Sequence, residues 1–246
     1  MGFDTLDCGF AASSPSEMEC IRLIASKVRN AEICSIARTH AADIERAWEA
    51  VKDAEHPVIH PFVSTSPLHR QVKLGKTRDE VREMARVAVA QARSYTENVD
   101  FALEDSTRTE HDFTLEVCEV VLKEGVRFIA ICDTVGFALP WEFGKLVADV
   151  KREFLQARIS AHCHDDLGLA IANSGWNPGR DDKLCLTPSF KSISMTRTIR
   201  IRYPVGSSRS AAEHQVDQCQ QHYSTQYRDD KSSPVPANYE RSTSNQ

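Results

Sequence analysis

What most constrains the fold of this chain is an alternation. Over the first 174 of its 246 residues, short apolar, β-prone runs take turns with longer stretches of helical period, at a repeat of roughly 25–40 residues. The strand candidates are residues 5–10, 33–37, 58–63, 99–103, 127–132 and 158–162. Strand, helix and strand in succession build a parallel sheet covered by helices. An open doubly wound sheet and a (β/α)8 barrel share that signature, and in the barrel the chemistry collects at the C-terminal ends of the strands. Polar groups close successive candidates here: Arg38 and His40, Ser64-Thr65-Ser66, Glu104-Asp105, Asp133-Thr134, and His162 with His164. That favours the barrel. Six strands are countable where closure takes eight, so the expectation is α/β, a partial (β/α)8 TIM barrel.

Helix starts follow from capping chemistry. Ser14-Pro15-Ser16-Glu17 puts a hydroxyl at the N-cap, proline at the first helical position and glutamate at the third. Thr77-Arg78-Asp79-Glu80 repeats the pattern, after which Val81, Met84, Ala85, Ala88, Ala92 and Tyr95 keep one apolar face. A third helix is expected over 109–123 with Gly125 just beyond its end, and Leu139-Pro140-Trp141-Glu142 opens a fourth.

The net charge of −5 hides an asymmetry. Residues 1–174 hold 20 Lys+Arg against 28 Asp+Glu, and residues 175–246 hold 10 against 7. Apolar content falls at the same place, from about 47% to about 28%. The chain is therefore divided into a barrel domain, 1–174, and a low-complexity tail, 175–246, whose composition predicts disorder. The run 193–203 alternates weakly, but Arg, Ser and Thr interrupt it. No aromatic or glycine interleaving supports nucleic-acid binding, and no apolar run is long enough for a bilayer. Met1-Gly2-Phe3-Asp4 does not open a targeting segment, and the eight cysteines show no CxxC pairing. A cytoplasmic location is the expectation.

His162 and His164 carry the sharpest chemical signal. Residues two apart on a strand share a face, so both imidazoles reach one point, and imidazole is the commonest ligand of divalent transition metals. Cys163 between them should face the other way and pack.

Five stretches in register resemble the α-isopropylmalate synthase branch of the metal-dependent aldol/Claisen (β/α)8 barrels. They are Asp7-Cys8-Gly9-Phe10-Ala11-Ala12-Ser13-Ser14-Pro15, Ile59-His60-Pro61-Phe62-Val63-Ser64-Thr65-Ser66-Pro67, Phe101-Ala102-Leu103-Glu104-Asp105-Ser106-Thr107-Arg108, Asp133-Thr134-Val135-Gly136-Phe137-Ala138-Leu139-Pro140, and the run from His162 to Ala172-Asn173-Ser174. The resemblance covers about residues 2–174. It implies an acyltransferase that condenses acetyl-CoA with a 2-oxo acid in leucine biosynthesis, using a divalent metal (Mn, Mg or Zn) to polarise the keto group. By resemblance His162 and His164 are metal ligands, His60 and Thr134 contact the substrate, and Glu104 is both substrate-binding and catalytic. Homocitrate synthase, citramalate synthase and hydroxymethylglutaryl-CoA lyase are alternatives within the same superfamily.

The resemblance also implies a strand carrying Arg-Asp-Gly before residue 2 and a strand carrying an Asn ligand after Ser174, and neither motif is in the sequence. Asp7 stands where glutamate is usual, and Ala102 where serine is common. Two expectations follow. One is a synthase-like chain truncated at both ends, with small-molecule partners and possible homodimerisation. The other is an inactive fragment that pairs with a full-length paralogue to cover the open sheet edges at its cut ends.

Overall fold

The computed structural model describes residues 4–175, 185–188 and 198–202. Strands β1 (Thr5–Asp7), β2 (Glu32–Arg38), β3 (Pro57–Ser64), β4 (Phe101–Glu104), β5 (Phe128–Asp133) and β6 (Arg158–Cys163) pair in parallel, each with the next. Helices α1 (Pro15–Lys27), α2 (Ala41–Val51), α3 (Arg78–Tyr95), α4 (His111–Lys123), α5 (Pro140–Glu153) and α6 (Ala170–Gly175) follow them one by one. Each strand falls where its apolar run predicts, to within a few residues.

The capping signals hold locally. The Ser14 hydroxyl accepts the Glu17 N–H at 3.1 Å ahead of α1. Thr77 and Glu80 make the full reciprocal box on α3, with bonds of 3.2 and 2.9 Å. Gly125 sits at φ +92° just past α4. No side chain caps α2, which begins after His40 and is held instead by the Arg38–Asp43 ion pair.

Two further strands, β7 (Cys185–Pro188) and β8 (Thr198–Arg202), come from the segment whose composition predicts disorder. β7 pairs in parallel with β6, and β8 lies antiparallel between β7 and β1, so the eight strands form a closed ring. The open edges expected on β1 and β6 are therefore taken up among the described strands. Backbone pairing needs little from side-chain composition, and Thr198-Ile199-Arg200-Ile201-Arg202 already alternates with the period of a strand. The remainder of the 175–246 reading lies outside the described residues. Among the described residues no helix is long and apolar enough to cross a membrane.

Register divides the sheet into two faces, because residues that pair across neighbouring strands point the same way. Ile33, Ile59, Val63, Phe101, Leu103, Ile129, Ile131 and Ile159 lie on one face and pack against apolar residues of the helices, among them Val81, Phe113, Val117 and Phe143. This is the main core. The opposite face runs through the pairs Asp7–Cys34, Ile36–His60, Ser64–Glu104, Ala102–Ala130 and Cys132–His162. It is the inner face of the barrel, and it carries the polar groups.

Candidate active site

Parity alone places His60, Glu104 and His162 on that inner face, and His164 continues it just past the end of β6. The His162 and His164 rings are half-buried, with centroids 5.4 Å apart and planes inclined by 57°. Two neutral imidazole donors so placed fit two positions in the shell of one divalent ion. Cys163 points away and is fully buried, and burial pushes its thiol up to about 12, so it is packed rather than coordinating. The buried Cys132 thiol is pushed well above its ordinary value for the same reason.

The loop carrying the histidines is braced by the β5–α5 turn. His164 N–H donates to Asp133 O at 3.1 Å and Leu167 N–H to Gly136 O at 3.2 Å. Asp133 is fully buried and burial raises its pKa, against the opposing effect of the Ala138 N–H and the Thr107 hydroxyl. Its Oδ2 accepts from Asn173 Nδ2 at 3.2 Å, and the same nitrogen donates to Ala138 O at 2.9 Å. Asn173 thus ties α6 to the loop after β5.

Glu104 closes β4 at the mouth of the barrel. The Ser64 hydroxyl donates to its Oε2 at 2.5 Å, and Lys73 Nζ lies 2.7 and 2.8 Å from its two oxygens. Lys73 also donates to Ser64 Oγ at 3.0 Å. Ser64 therefore reaches across to the next strand rather than capping its own loop. His69 is only 21% exposed, and its Nδ1 stands 3.6 Å from carboxylate oxygens of both Glu104 and Asp105. Lys73 and His69 share one π-helical turn, His69–Leu74, that lays both over the mouth.

Asp105 takes a left-handed conformation at φ +65°, which costs a non-glycine residue on the order of 1–2 kcal/mol. Its fully buried carboxylate is held by Arg108 at 2.8 and 2.7 Å and by the Ser66 hydroxyl. Burial alone would raise its pKa, but the Arg108 and Ser66 bonds outweigh burial and lower it. Thr134 Oγ1 accepts the Asp105 N–H at 2.8 Å, so Thr134 joins the strand-four loop to strand five beside Glu104. Beneath this loop the buried Arg70 makes a bidentate pair with Glu110 at 2.8 and 2.7 Å, donates to Thr65 O and covers the Phe113 ring.

A family model described as HMGL-like matches residues 1–176. The chain is 46% identical to 2-isopropylmalate synthase of Dictyoglomus turgidum over 177 residues, and 45% identical to that of Syntrophus aciditrophicus. Each alignment takes in 71% of this chain, which spans about a third of the length of these relatives, 35% and 34%. Among solved structures, the HMG-CoA lyase of Brucella melitensis is similar at a TM-score of 0.61 and 15% identity, covering 80% of this chain and 74% of that one. The carboxyl transferase domain of Rhizobium etli pyruvate carboxylase is similar at 0.55 and 17%, covering 76% of this chain and 33% of that one. At such identities the two structures support the barrel fold alone.

Proposed function

Because the chain belongs to the HMGL-like family, we propose that its inner face binds a 2-oxo acid for an isopropylmalate-synthase-like condensation with acetyl-CoA. In that reaction the acetyl methyl group gives up a proton, its carbon bonds to the keto carbon of 2-oxoisovalerate while the keto oxygen takes up a proton, and water cleaves the thioester to release CoA and 2-isopropylmalate. His162 and His164 would hold a divalent ion, which when bound would supply electrophilic polarisation of the keto group.

The remaining roles belong to the chain's own side chains. Glu104 is held in place by Lys73 and Ser64, so its carboxylate has a fixed direction at the mouth. Lys73, bonded to both Glu104 oxygens and to Ser64, also brings a positive charge to the mouth, where it can attract an anionic acid. Thr134 holds the strand-four loop and has a hydroxyl hydrogen left to donate to the substrate. His60, on the neighbouring strand, lines the inner wall beneath them.

The observation that carries this reading is the convergence of His60, Glu104 and His162 on one register-defined face, with Glu104 already clamped at the strand end. The test is release of free CoA from acetyl-CoA and 2-oxoisovalerate with Mn²⁺ or Mg²⁺ by the full 246-residue chain. Turnover lost in His162→Ala and Glu104→Gln supports the assignment. Soluble, folded protein that releases no CoA refutes an active enzyme, and retained 2-oxo acid binding would then leave a binding role only.

A further inference from the structure

Away from the β6 histidines, the inner face brings three donors of different chemistry together on β1, β2 and β3. Asp7 and Cys34 are register partners, and His60 pairs with Ile36, two residues along β2 on the same face as Cys34. The carboxylate oxygen, the thiol sulfur and the imidazole nitrogen all lie within 4.8 Å of one another. Cys34 is fully buried, His60 is 4% exposed and Asp7 is half-buried, so these are not solvated surface groups that happen to face each other.

The donor set selects the ion. Magnesium and calcium prefer shells made of oxygen, whereas a thiolate, an imidazole and a carboxylate together match zinc. Zinc holds sulfur at about 2.3 Å and nitrogen or oxygen at about 2.0–2.2 Å, so its tetrahedral ligands stand roughly 3.3–3.7 Å apart. The three donors need to close by about 1 Å, within the reach of ordinary side-chain rotation. We propose that Asp7, Cys34 and His60 form a zinc site of this chain, separate from the His162/His164 pair. Three protein ligands leave a fourth position for water or for an anionic oxygen or sulfur. Asp7, Cys34 and His60 each already interact with a neighbour, so metal binding exchanges those contacts for ligation. The site does not depend on the proposed function. When it is filled, His60 acts on a bound acid through the ion rather than by a direct hydrogen bond.

The test uses the full chain with His162→Ala and His164→Ala in place and Co²⁺ as the probe. The expected result is a near-ultraviolet thiolate-to-cobalt charge-transfer band that saturates at one equivalent. Cys34→Ser should abolish it, and Asp7→Asn or His60→Gln should weaken binding by about tenfold or more. No band in the protein with Cys34 intact, or a band that survives Cys34→Ser, overturns the proposal and leaves a carboxylate–imidazole contact beside a packed thiol. Should Cys34→Ser fail to fold, zinc X-ray absorption on the His162→Ala/His164→Ala protein loaded with one Zn²⁺ decides the matter. One sulfur with nitrogen and oxygen neighbours supports the site, and a shell without sulfur refutes it. Loss of 2-oxo acid binding in the His162/His164 variants, with the cobalt band intact, separates this site from the reading above.

Discussion

Gly136 is where the β5–α5 turn meets the histidine loop, and Gly136→Ala tests whether that contact holds the loop in place. The residue sits at φ +63°, where an alanine costs roughly 1–2 kcal/mol. A Cβ there would stand 2.5 Å from Asp166 Oδ2, 2.8 Å from the Asp166 backbone nitrogen and 3.0 Å from the His164 carbonyl carbon. The carboxylate can rotate away, but the two backbone atoms cannot move without carrying the loop. Overpacking of this kind adds about 1–3 kcal/mol, so the total should reach about 2–5 kcal/mol. Gly75 supplies the control, since it has φ +62° and nothing within 4 Å of its added Cβ. Gly75→Ala should cost the conformational part alone, about 1–2 kcal/mol. Denaturant unfolding of both variants at one protein concentration measures the difference, expected at about 1–3 kcal/mol. Divalent metal affinity at the histidine pair should fall in Gly136→Ala and hold in Gly75→Ala. Equal unfolding free energies and equal metal affinity in the two variants would refute the reasoning.

Arg70→Ala removes a buried donor from the Thr65 carbonyl and a cation from the Phe113 ring, while its partner Glu110 is 37% exposed and regains water, so it should cost about 1–3 kcal/mol by denaturant unfolding, and unchanged stability would contradict the bracing role. Lys73→Met removes a cation that is 48% exposed, so stability should change by no more than about 1 kcal/mol. Its effect should appear instead as a several-fold weakening of 2-oxo acid binding by calorimetry, and unchanged affinity would remove Lys73 from the site. The Asp105 carboxyl titrates below its ordinary 3.8 in the fold, so its contribution is present above that pH and fades as pH falls through the lower folded value. Asp105→Asn should therefore flatten the acid limb of unfolding free energy against pH, and an unchanged limb would count against the Arg108 pairing.

The parallel strands were legible because each is an apolar run bounded by capping or turn residues, as with the run before Ser64 and the box at Thr77. Helix α2 carried no such signal, because His40 precedes it without a side-chain cap. Strands β7 and β8 are short and sit in polar sequence, and pairing with β6 and β1 defines them more than their own pattern does. At the candidate site His162 and His164 were readable from their spacing, and His60, Glu104 and Thr134 from the resemblance. Lys73 and His69 were not readable, since their approach to Glu104, 31 and 35 residues distant in sequence, depends on one π-helical turn. The meeting of Asp7, Cys34 and His60 is likewise a product of inter-strand register, which no single stretch of sequence states.

The most direct test of the central claim, that the inner face joins a metal-bearing histidine pair to a 2-oxo acid pocket, is calorimetric titration of 2-oxoisovalerate into the full chain with and without saturating Mn²⁺. The predicted result is one-to-one binding that requires Mn²⁺, vanishes in His162→Ala/His164→Ala and weakens in Glu104→Gln. Binding of equal strength without the ion, or undiminished in the histidine variant, would contradict it.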